Sequence, residues 1–313
     1  MRLLLLVLLL GFGTGCREQE APRRQSLLDP ALLKGGDAFA KVKAFVELGP
    51  KEAGAPSARA GAEWIQQELE KAGIEASIDR FEDLTPRGTS TFYNVEGIIP
   101  GDPSEIIVLG CHFDTKTGLT NTFVGANDSG SGVGLLINLG RVIQANKRKG
   151  PEVRLAFFDG EECVVHYGPH DGFHGSKHMA KTLVENGQAP KVRAVIILDM
   201  VGHEDLTITL PKSSSPALVS LVFDAAHALG VREQFRYFHY DIGDDHIPFL
   251  ANGMPAVVLI DFQYGSAPTL NDYWHTNEDR LDKLSPASLE TTGRVVLEMI
   301  NRLWVGEAVK VSQ

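Results

Sequence analysis

The chain has 313 residues, of which 43% are hydrophobic and 22% charged, and its formal net charge at pH 7 is -10. This composition is typical of a globular protein with a substantial core and excludes a disordered chain. An acidic chain without an extended run of Lys and Arg lacks the electrostatic footprint of a nucleic-acid-binding protein, so that class is set aside.

The first sixteen residues are typical of an export signal. Arg2 precedes an unbroken apolar run from Leu3 to Leu10, and small residues follow as far as Cys16. The run is too short to span a bilayer as a helix. The ending Gly-Thr-Gly-Cys resembles a bacterial lipoprotein cleavage site, although Gly13 stands where Leu is usual. We expect residues 1–16 to be a lipoprotein-type signal peptide with Cys16 lipidated, and the protein to be exported to the periplasm or cell envelope. A plain secretory signal cut elsewhere is the alternative.

Residues 17–33 form the next segment, which is polar and contains proline. Such a composition suits a linker that tethers a domain to the membrane. We expect a single folded domain over residues 34–305, followed by a short C-terminal tail over residues 306–313.

Within that domain the hydrophobic pattern alternates between two periods. Apolar residues at helical spacing predict helices over 38–48, 58–71, 132–145, 175–185, 215–229 and 286–303. Runs rich in β-branched residues predict strands over 94–99, 105–109, 153–158, 192–198 and 256–260. Aliphatic strands alternating with helices predict an α/β fold, a single three-layer α/β/α sandwich with a mixed, mostly parallel central sheet.

Acidic and histidine side chains recur where the predicted strands end or just before a predicted helix begins. In an open α/β sheet, the residues beyond the carboxyl ends of the strands gather at one edge. We therefore expect these side chains to converge. The set is His112, Asp114, Asp128, Asp159, Glu161, Glu162, Asp199 and His275.

Carboxylates with one or two imidazoles, and no cluster of thiolates, suit a catalytic zinc ion with an open ligand position. Each residue alone has a commoner structural explanation. An Asp before a helix is usually an N-cap, and two adjacent glutamates are usually solvated. Convergence at one sheet edge favours a site, and it assigns different roles to Glu161 and Glu162: one binds the metal and the other moves a proton.

Six motifs in the chain, in this order, resemble those of the co-catalytic zinc aminopeptidases and the related animal-type glutaminyl cyclases. They are GCHFDT, GANDSGSG, FFDGEE, ILDMVG, DDHIPFL and YWHT. The resemblance covers roughly residues 34–305 and implies the zinc exopeptidase-like fold. It also implies a first metal site of Asp128, Glu162 and His275, with Glu161 as general acid and base. The aminopeptidases use a second metal site, which would be His112, the bridging Asp128 and Asp199.

All ligands of a two-zinc centre are present, so ligand identity leaves both branches open. Three features favour the cyclase: the segment after Glu162, Asp244 where aminopeptidases commonly have Ser, and Trp274 before His275. In cyclases the residues matching Asp199 and Asp244 join a hydrogen-bond network with the catalytic Glu.

The resemblance therefore implies a glutaminyl-peptide cyclotransferase that converts the N-terminal Gln of peptides or proteins to pyroglutamate with release of ammonia. One zinc ion is expected, and two remain an alternative. A two-zinc aminopeptidase is the second hypothesis, and a non-catalytic binding protein on this fold is the third.

The resemblance also places Trp274, Tyr167 and His246 in a substrate pocket. Tyr167 stands where the cyclases have Trp, and packing of the loop is its alternative role. For His246 a structural capping role is the alternative. Cys111 and Cys163 lie beside predicted site residues, and an oxidising compartment would permit them to pair.

Overall fold

A mixed eight-stranded sheet forms the centre of the structure. The structure is a computed structural model that describes residues 27–120, 122–146 and 150–305. The predicted signal peptide with Cys16, residues 17–26 of the predicted linker and the tail 306–313 lie outside the described residues. The strands are β1 (Glu75–Thr85), β2 (Gly88–Ile99), β3 (Asp102–His112), β4 (Pro151–Phe158), β5 (Val192–Asp199), β6 (Ile208–Pro211), β7 (Phe235–Phe238) and β8 (Ala256–Ile260).

The strand order explains the mixed character of the sheet. Neighbours follow the order β1-β2-β4-β3-β5-β8-β6-β7, and the central strands β4, β3, β5 and β8 are parallel. Antiparallel pairs join β1 to β2, β2 to β4 and β6 to β8, while β6 and β7 are parallel. The predicted mixed, mostly parallel sheet is confirmed.

Helices flank the sheet and complete the predicted three-layer sandwich. They are α1 (Gly35–Val46), α2 (Pro56–Lys71), α3 (Gly130–Ala145), α4 (His174–Glu185), α5 (Pro216–Ala228), α6 (His246–Ala251) and α7 (Pro286–Trp304). α3 packs on β3, β4 and β5, and α1, α2 and α7 pack against α3. α4 and α6 contact each other and the sheet as a second group. No helix within the described ranges has the length and apolar content needed to cross a bilayer.

The central strands form where the sequence carries continuous apolar runs. Every residue of β8 is buried, and so is β5 from Ala194 to Asp199. Strands covered on both faces need such runs because neither face meets water. The pattern missed β1, an edge strand with no apolar run, and it also missed β6, β7 and α6, which have only four to six residues each.

The N-terminal segment 27–33, which the sequence assigned to the linker, packs on the domain. Leu28 and Leu33 are fully buried. The backbone N–H of Leu28 donates to Asn301 Oδ1 at 2.8 Å, and Asn301 Nδ2 donates to the Leu28 carbonyl at 2.7 Å. These contacts join the start of the described chain to α7, so this part of the predicted linker is folded.

The carboxyl ends of the central parallel strands meet at one edge of the sheet. β3 ends at His112, β4 at Phe158 and β5 at Asp199, and His112 is in register with Phe158. The loop that follows β4 and the start of α3 reach the same edge. The topology therefore brings the predicted site residues together from distant parts of the chain.

Candidate active site

Asp128, Glu162 and His275, the predicted metal ligands, come together at this edge. Each offers one ligand atom, and these atoms lie within 4.8 Å of one another. His275 Nε2 is 2.8 Å from Glu162 Oε1 and 3.3 Å from Asp128 Oδ2. Asp128 Oδ2 is buried and has no hydrogen-bond partner among the described residues, so it is available to a cation. Two carboxylates and one imidazole fit a catalytic zinc site.

His112 and Asp199 form a second triad with Asp128, which the two triads share. Their ligand atoms also lie within 4.8 Å of one another. His112 Nε2 is 3.0 Å from Asp128 Oδ1 and 3.4 Å from Asp199 Oδ1. In the described part of the chain neither ring nitrogen of His112 has a hydrogen-bond partner. The chain therefore carries the donor set for one metal ion or for two bridged by Asp128.

Opposite charges perturb the pKa values of these ligands. Burial acts to raise the pKa of Asp128, but His112 and His275 outweigh burial and hold this pKa well below its usual range. Burial acts to lower the pKa of His275, whereas Asp128 and Glu162 raise it to about 10. A bound cation would replace the imidazole protons, since histidine binds metal through its neutral ring.

Asp114 holds the two glutamates in place. Its Oδ1 accepts from the N–H of Glu161 and its Oδ2 from the N–H of Glu162, both at 3.1 Å. Asp114 is fully buried, and its Oδ1 also lies 3.5 Å from His112 Nδ1. From the sequence, Asp114 is predicted only to lie among the residues at the strand ends, without a role of its own. The sequence feature that could have indicated this role is the position of Asp114, two residues after His112 in the motif GCHFDT.

Asp279 holds the segment that carries Asp128. Its Oδ1 accepts from the N–H of Asn127 at 2.7 Å, and its Oδ2 from the N–H of Asp128 at 3.2 Å. The Tyr264 hydroxyl donates to Asp279 Oδ1 at 2.8 Å. Burial and the charge of Asp128 raise the pKa of Asp279 to about 7. The role of Asp279, four residues beyond His275, was not predicted from the sequence, because an acidic residue in a polar loop is ordinarily solvated.

The backbone at two site positions lies in the left-handed region. His275 has a φ of 56° and Met200, which follows Asp199, a φ of 45°. Such angles are uncommon for residues other than glycine and cluster at functional sites. At His275 this backbone carries a side chain whose Nε2 lies close to Glu162 and Asp128, and these tertiary contacts compensate for the locally unfavourable angle.

Glu161 lies beside the first triad with a strongly perturbed acidity. Its side chain is nearly buried, and the Tyr167 hydroxyl donates to its Oε2 at 3.3 Å. Burial raises the pKa of Glu161 well above its usual range; His112 opposes this shift, and Glu162, Asp245 and Asp244 add to it. A carboxyl group with a raised pKa can both accept and return a proton near neutral pH.

Asp244 affects Glu161 through charge, and Asp199 affects Asp244 in the same way. Within the described ranges no hydrogen bond joins either residue to Glu161, so the network expected from the cyclases is absent here as direct bonds. Burial raises the pKa of Asp244 well above its usual range, and Asp199 and Asp245 raise it further. Asp244 in turn raises the pKa of Glu161. Burial thus raises the pKa of all three carboxyl groups, Glu161, Asp199 and Asp244.

A cavity of about 360 Å³ opens above these groups. Asp128, Glu161, Glu162 and His275 face it, as do Asp199 and Asp244. Its aromatic lining comes from Tyr167, Phe238, Tyr240, Phe262 and Trp274. A metal triad and a candidate base at the bottom of an aromatic cavity are the usual arrangement of a small-substrate site.

Two of the three predicted pocket residues line this cavity. The Trp274 ring stacks on His275 with centroids 4.1 Å apart, and Tyr167 stacks on Phe173 at 4.6 Å. His246 does not line the cavity. It is fully buried at the start of α6, with Nε2 3.1 Å from Ser213 Oγ, and this position favours the structural role.

Comparison with known proteins identifies the family. The sequence pattern of peptidase family M28 matches residues 94–300, about two-thirds of the chain. The chain belongs to peptidase family M28. The matched region contains both triads and Glu161 together with Trp274.

Individual relatives of this M28 chain carry more specific descriptions. The crystal structure of a glutaminyl cyclase from an Acidobacteriales bacterium has a TM-score of 0.83 and 32% identity, covering 91% of this chain and 98% of that one. The glutaminyl-peptide cyclotransferase of Drosophila melanogaster is 27% identical over 259 residues, 75% of this chain and 72% of the relative. A Zn-dependent exopeptidase from Parabacteroides distasonis has a TM-score of 0.75 and 26% identity, covering 86% of this chain and 98% of that one.

Lys116 is a further residue of the M28 site that the sequence analysis missed. Its Nζ lies 3.2 Å from Glu162 Oε2 and donates to the Cys163 carbonyl at 2.7 Å. It therefore orients the outer oxygen of a predicted metal ligand. Cys163 and Cys111 are both buried free thiols, so the pairing that the sequence left open is not formed.

Proposed function

We propose that this M28 protein is a zinc-dependent glutaminyl-peptide cyclotransferase that converts an N-terminal Gln to pyroglutamate and releases ammonia. The observation that carries this proposal is the cavity in which Glu161 and the first triad lie below Trp274 and Tyr167. Its volume of about 360 Å³ admits a Gln side chain with its α-amine. The relatives described as glutaminyl cyclases and cyclotransferases support the same reaction.

The metal would be held by Asp128, Glu162 and His275. When bound there, zinc supplies a Lewis acid that polarises the γ-carbonyl group of the substrate. The Zn-dependent exopeptidase of similar fold supports this choice of metal. We expect one zinc ion, because the first triad faces the cavity, whereas His112 of the second triad does not.

Glu161 performs the proton transfers. The substrate α-amine attacks the γ-carbonyl carbon, forming the new C–N bond of the ring, and Glu161 accepts the amine proton. The old amide C–N bond then breaks, and Glu161 returns the proton to the departing ammonia. Burial and the surrounding carboxylates raise the pKa of Glu161 well above its usual range, which suits a group that must gain and lose a proton in each turnover.

Asp244 and Asp199 support Glu161, and the aromatic residues position the substrate. The charge of Asp244 raises the pKa of Glu161. Trp274 and Tyr167 form walls that confine the Gln side chain and exclude water, which favours attack by the amine over hydrolysis.

A two-zinc aminopeptidase is the second candidate, and the second triad is the observation that favours it. With a metal ion on His112, Asp128 and Asp199 as well, Glu161 would activate water for cleavage of an N-terminal peptide bond. This reaction uses the same residues and differs in metal count and substrate.

One experiment separates these functions. Purified protein lacking residues 1–16 is incubated with a Gln-initiated peptide and its Leu-initiated counterpart, and the masses of the products are measured by mass spectrometry. The proposed function predicts loss of ammonia from the Gln peptide only, with one zinc per chain by elemental analysis. Release of free Leu, with two zinc ions, would establish the aminopeptidase. If neither peptide changes in mass even with zinc present, the third hypothesis, a non-catalytic binding protein, is favoured.

We also propose that the protein is exported and lipid-anchored at Cys16. The basis is the sequence of residues 1–16, in which an apolar run precedes Gly-Thr-Gly-Cys. Expression in a bacterial host should place the protein in the membrane fraction, and Cys16→Ser should move it to the soluble periplasmic fraction. Equal membrane association of the two forms would contradict a lipid anchor.

A further inference from the structure

The cavity changes in character from its floor to its mouth. At the floor, Asp128 and Asp244 are 2% exposed and Glu161 is 7% exposed. Phe262 and Trp274 are half-buried above them, and Tyr240 is 71% exposed at the mouth. This gradient orders a bound peptide: its N-terminal residue reacts at the floor, and its second residue lies among the side chains of the mouth.

The segment between β7 and α6 builds that mouth. Tyr240 and Asp241 from this segment line the cavity together with Phe238, the last residue of β7, and Asp241 is exposed. The ring centroids of Phe238 and Tyr240 are 5.4 Å apart, and those of Phe238 and Phe262 are 6.1 Å apart. We call Phe238, Tyr240, Asp241 and Phe262 the rim. It offers aromatic faces and one carboxylate.

The mouth of the cavity carries negative charge. Asp241 is an exposed carboxylate there, and no described residue that lines the cavity is Lys or Arg. Lys116 Nζ lies 3.2 Å from Glu162 Oε2 and is engaged at the floor. Lys212 is exposed and its backbone N–H donates to the Tyr240 carbonyl at 3.2 Å, but Lys212 does not line the cavity. A cleft lined by one sign of charge attracts the opposite sign and repels its own.

We infer that the rim selects the second residue of the substrate by charge, favouring a cationic side chain, above all Arg, and rejecting Asp or Glu. The inference rests on the proposed cyclase function. A guanidinium can stack on the exposed Tyr240 ring and pair with the Asp241 carboxylate at the same time. An acidic side chain in that place meets the Asp241 carboxylate, and none of the described residues lining the cavity is a Lys or Arg that could pair with it.

The test is kcat/KM for four peptides that differ only at the second residue. Arg is compared with citrulline, which has the same shape without the charge, and Glu is compared with Gln. We expect Arg to exceed citrulline by about three- to fivefold at low salt, and Gln to exceed Glu by at least as much. Both ratios should shrink at high salt because the charges at the mouth are exposed to solvent.

Variants assign the effect to the rim. Asp241→Asn should reduce the Arg-to-citrulline ratio and improve the Glu peptide. Tyr240→Ala should lower the rate for Arg by about two- to fivefold and the rate for citrulline by less, because only the guanidinium is a cation that the ring attracts. Asp224→Asn, at an exposed position of α5 that does not line the cavity, is the control and should leave both ratios unchanged.

The outcomes separate this inference from the proposed function. If none of the four peptides is cyclised, the proposed function fails. If all are cyclised at rates independent of the second residue, the cyclase stands and the rim inference is overturned. An Arg-to-citrulline ratio in Asp241→Asn as large as in the parent would also overturn it, since the selection would then arise elsewhere.

Discussion

Buried carboxylates that are not metal ligands organise the site at the scale of single residues. Asp114 accepts from the backbone of Glu161 and Glu162, and Asp279 from the backbone of Asp128. A ligand held by its own backbone in this way meets the metal in one orientation. Outer carboxylates of this kind tune metal affinity although they do not bind the ion.

Glu161 offers the most direct test of the proposed chemistry. Glu161→Gln removes the proton acceptor and keeps the size of the side chain, so kcat for a Gln-initiated peptide should fall about 10²- to 10⁴-fold. The zinc content should not change, because Glu161 is outside both triads. Glu70→Gln, an exposed glutamate of α2, is the control. Retention of more than a tenth of the activity would rule out Glu161 as the base.

A substitution of Asp279 tests whether zinc binding requires that the backbone of Asn127 and Asp128 be held in place. In Asp279→Asn, an amide N–H₂ replaces one of the two oxygens that accept from Asn127 and Asp128. Zinc affinity, measured by competition with a chelator, should therefore fall about 10- to 100-fold. Asp282→Asn changes an exposed carboxylate nearby and should bind zinc as the parent does. Equal affinity in the two variants would refute the positioning role.

At the scale of elements, the junction after α1 contains an unusual buried lysine. Lys51 is 1% exposed, and its Nζ donates to the carbonyls of Gly49 at 2.6 Å and Phe45 at 3.4 Å. Its backbone N–H donates to Thr115 Oγ1, next to Lys116 of the site loop. Lys51 thus satisfies carbonyls at the end of a helix, and the cost is the burial of a charge.

Burial lowers the pKa of Lys51 from 10.5 to about 7. Between these values the unfolded chain binds more protons than the folded one, so the contribution of Lys51 to the free energy of unfolding increases with pH. The slope is at most about 1.4 kcal/mol per pH unit. Urea unfolding of the parent and of Lys51→Met should therefore show a difference that shifts in favour of the parent from pH 7 to pH 9. A difference independent of pH would mean that Lys51 keeps its ordinary acidity.

At the scale of the whole molecule, the first described residues close the domain against its last helix. Leu28 and Asn301 exchange two hydrogen bonds over a separation of 273 residues. Leu28 and Leu33 belong to the hydrophobic core. The domain therefore includes part of the segment that its polar composition assigned to a linker.

Leu28 and its neighbour Leu27 form a matched pair for this contact. Leu28 is 1% exposed and Leu27 is 43% exposed. Leu28→Ala should lower the free energy of unfolding by about 2–3 kcal/mol through lost burial and the cavity that remains. Leu27→Ala should change it by less than about 0.5 kcal/mol. Similar losses in both variants, measured by urea unfolding, would show that the segment is not docked as described.

The sequence by itself determined the layered α/β architecture and the membership of both triads. Continuous aliphatic runs such as β5 and β8 can be stable only between two layers of helices. The resemblance of the motifs to a known family predicts Asp128, Glu162 and His275 as ligands, and the loops that follow β3, β4 and β8 bring them to one edge of the sheet. These features follow from local patterns and ordered motifs, which residues near one another in the chain can specify.

Only the tertiary structure decided what surrounds those residues. Asp279 looks like a solvated loop residue in the sequence, and its role appears only when it lies under Asn127 and Asp128. His246, two residues after Asp244 in the motif DDHIPFL, lies outside the cavity, whereas Tyr240 and Asp241 form the mouth of the cavity. Such contacts join residues that are far apart in the chain. They depend on shape and burial, so the spacing of residues in the sequence does not predict them. The pKa of Glu161 likewise depends on burial and on carboxylates that arrive from separate elements.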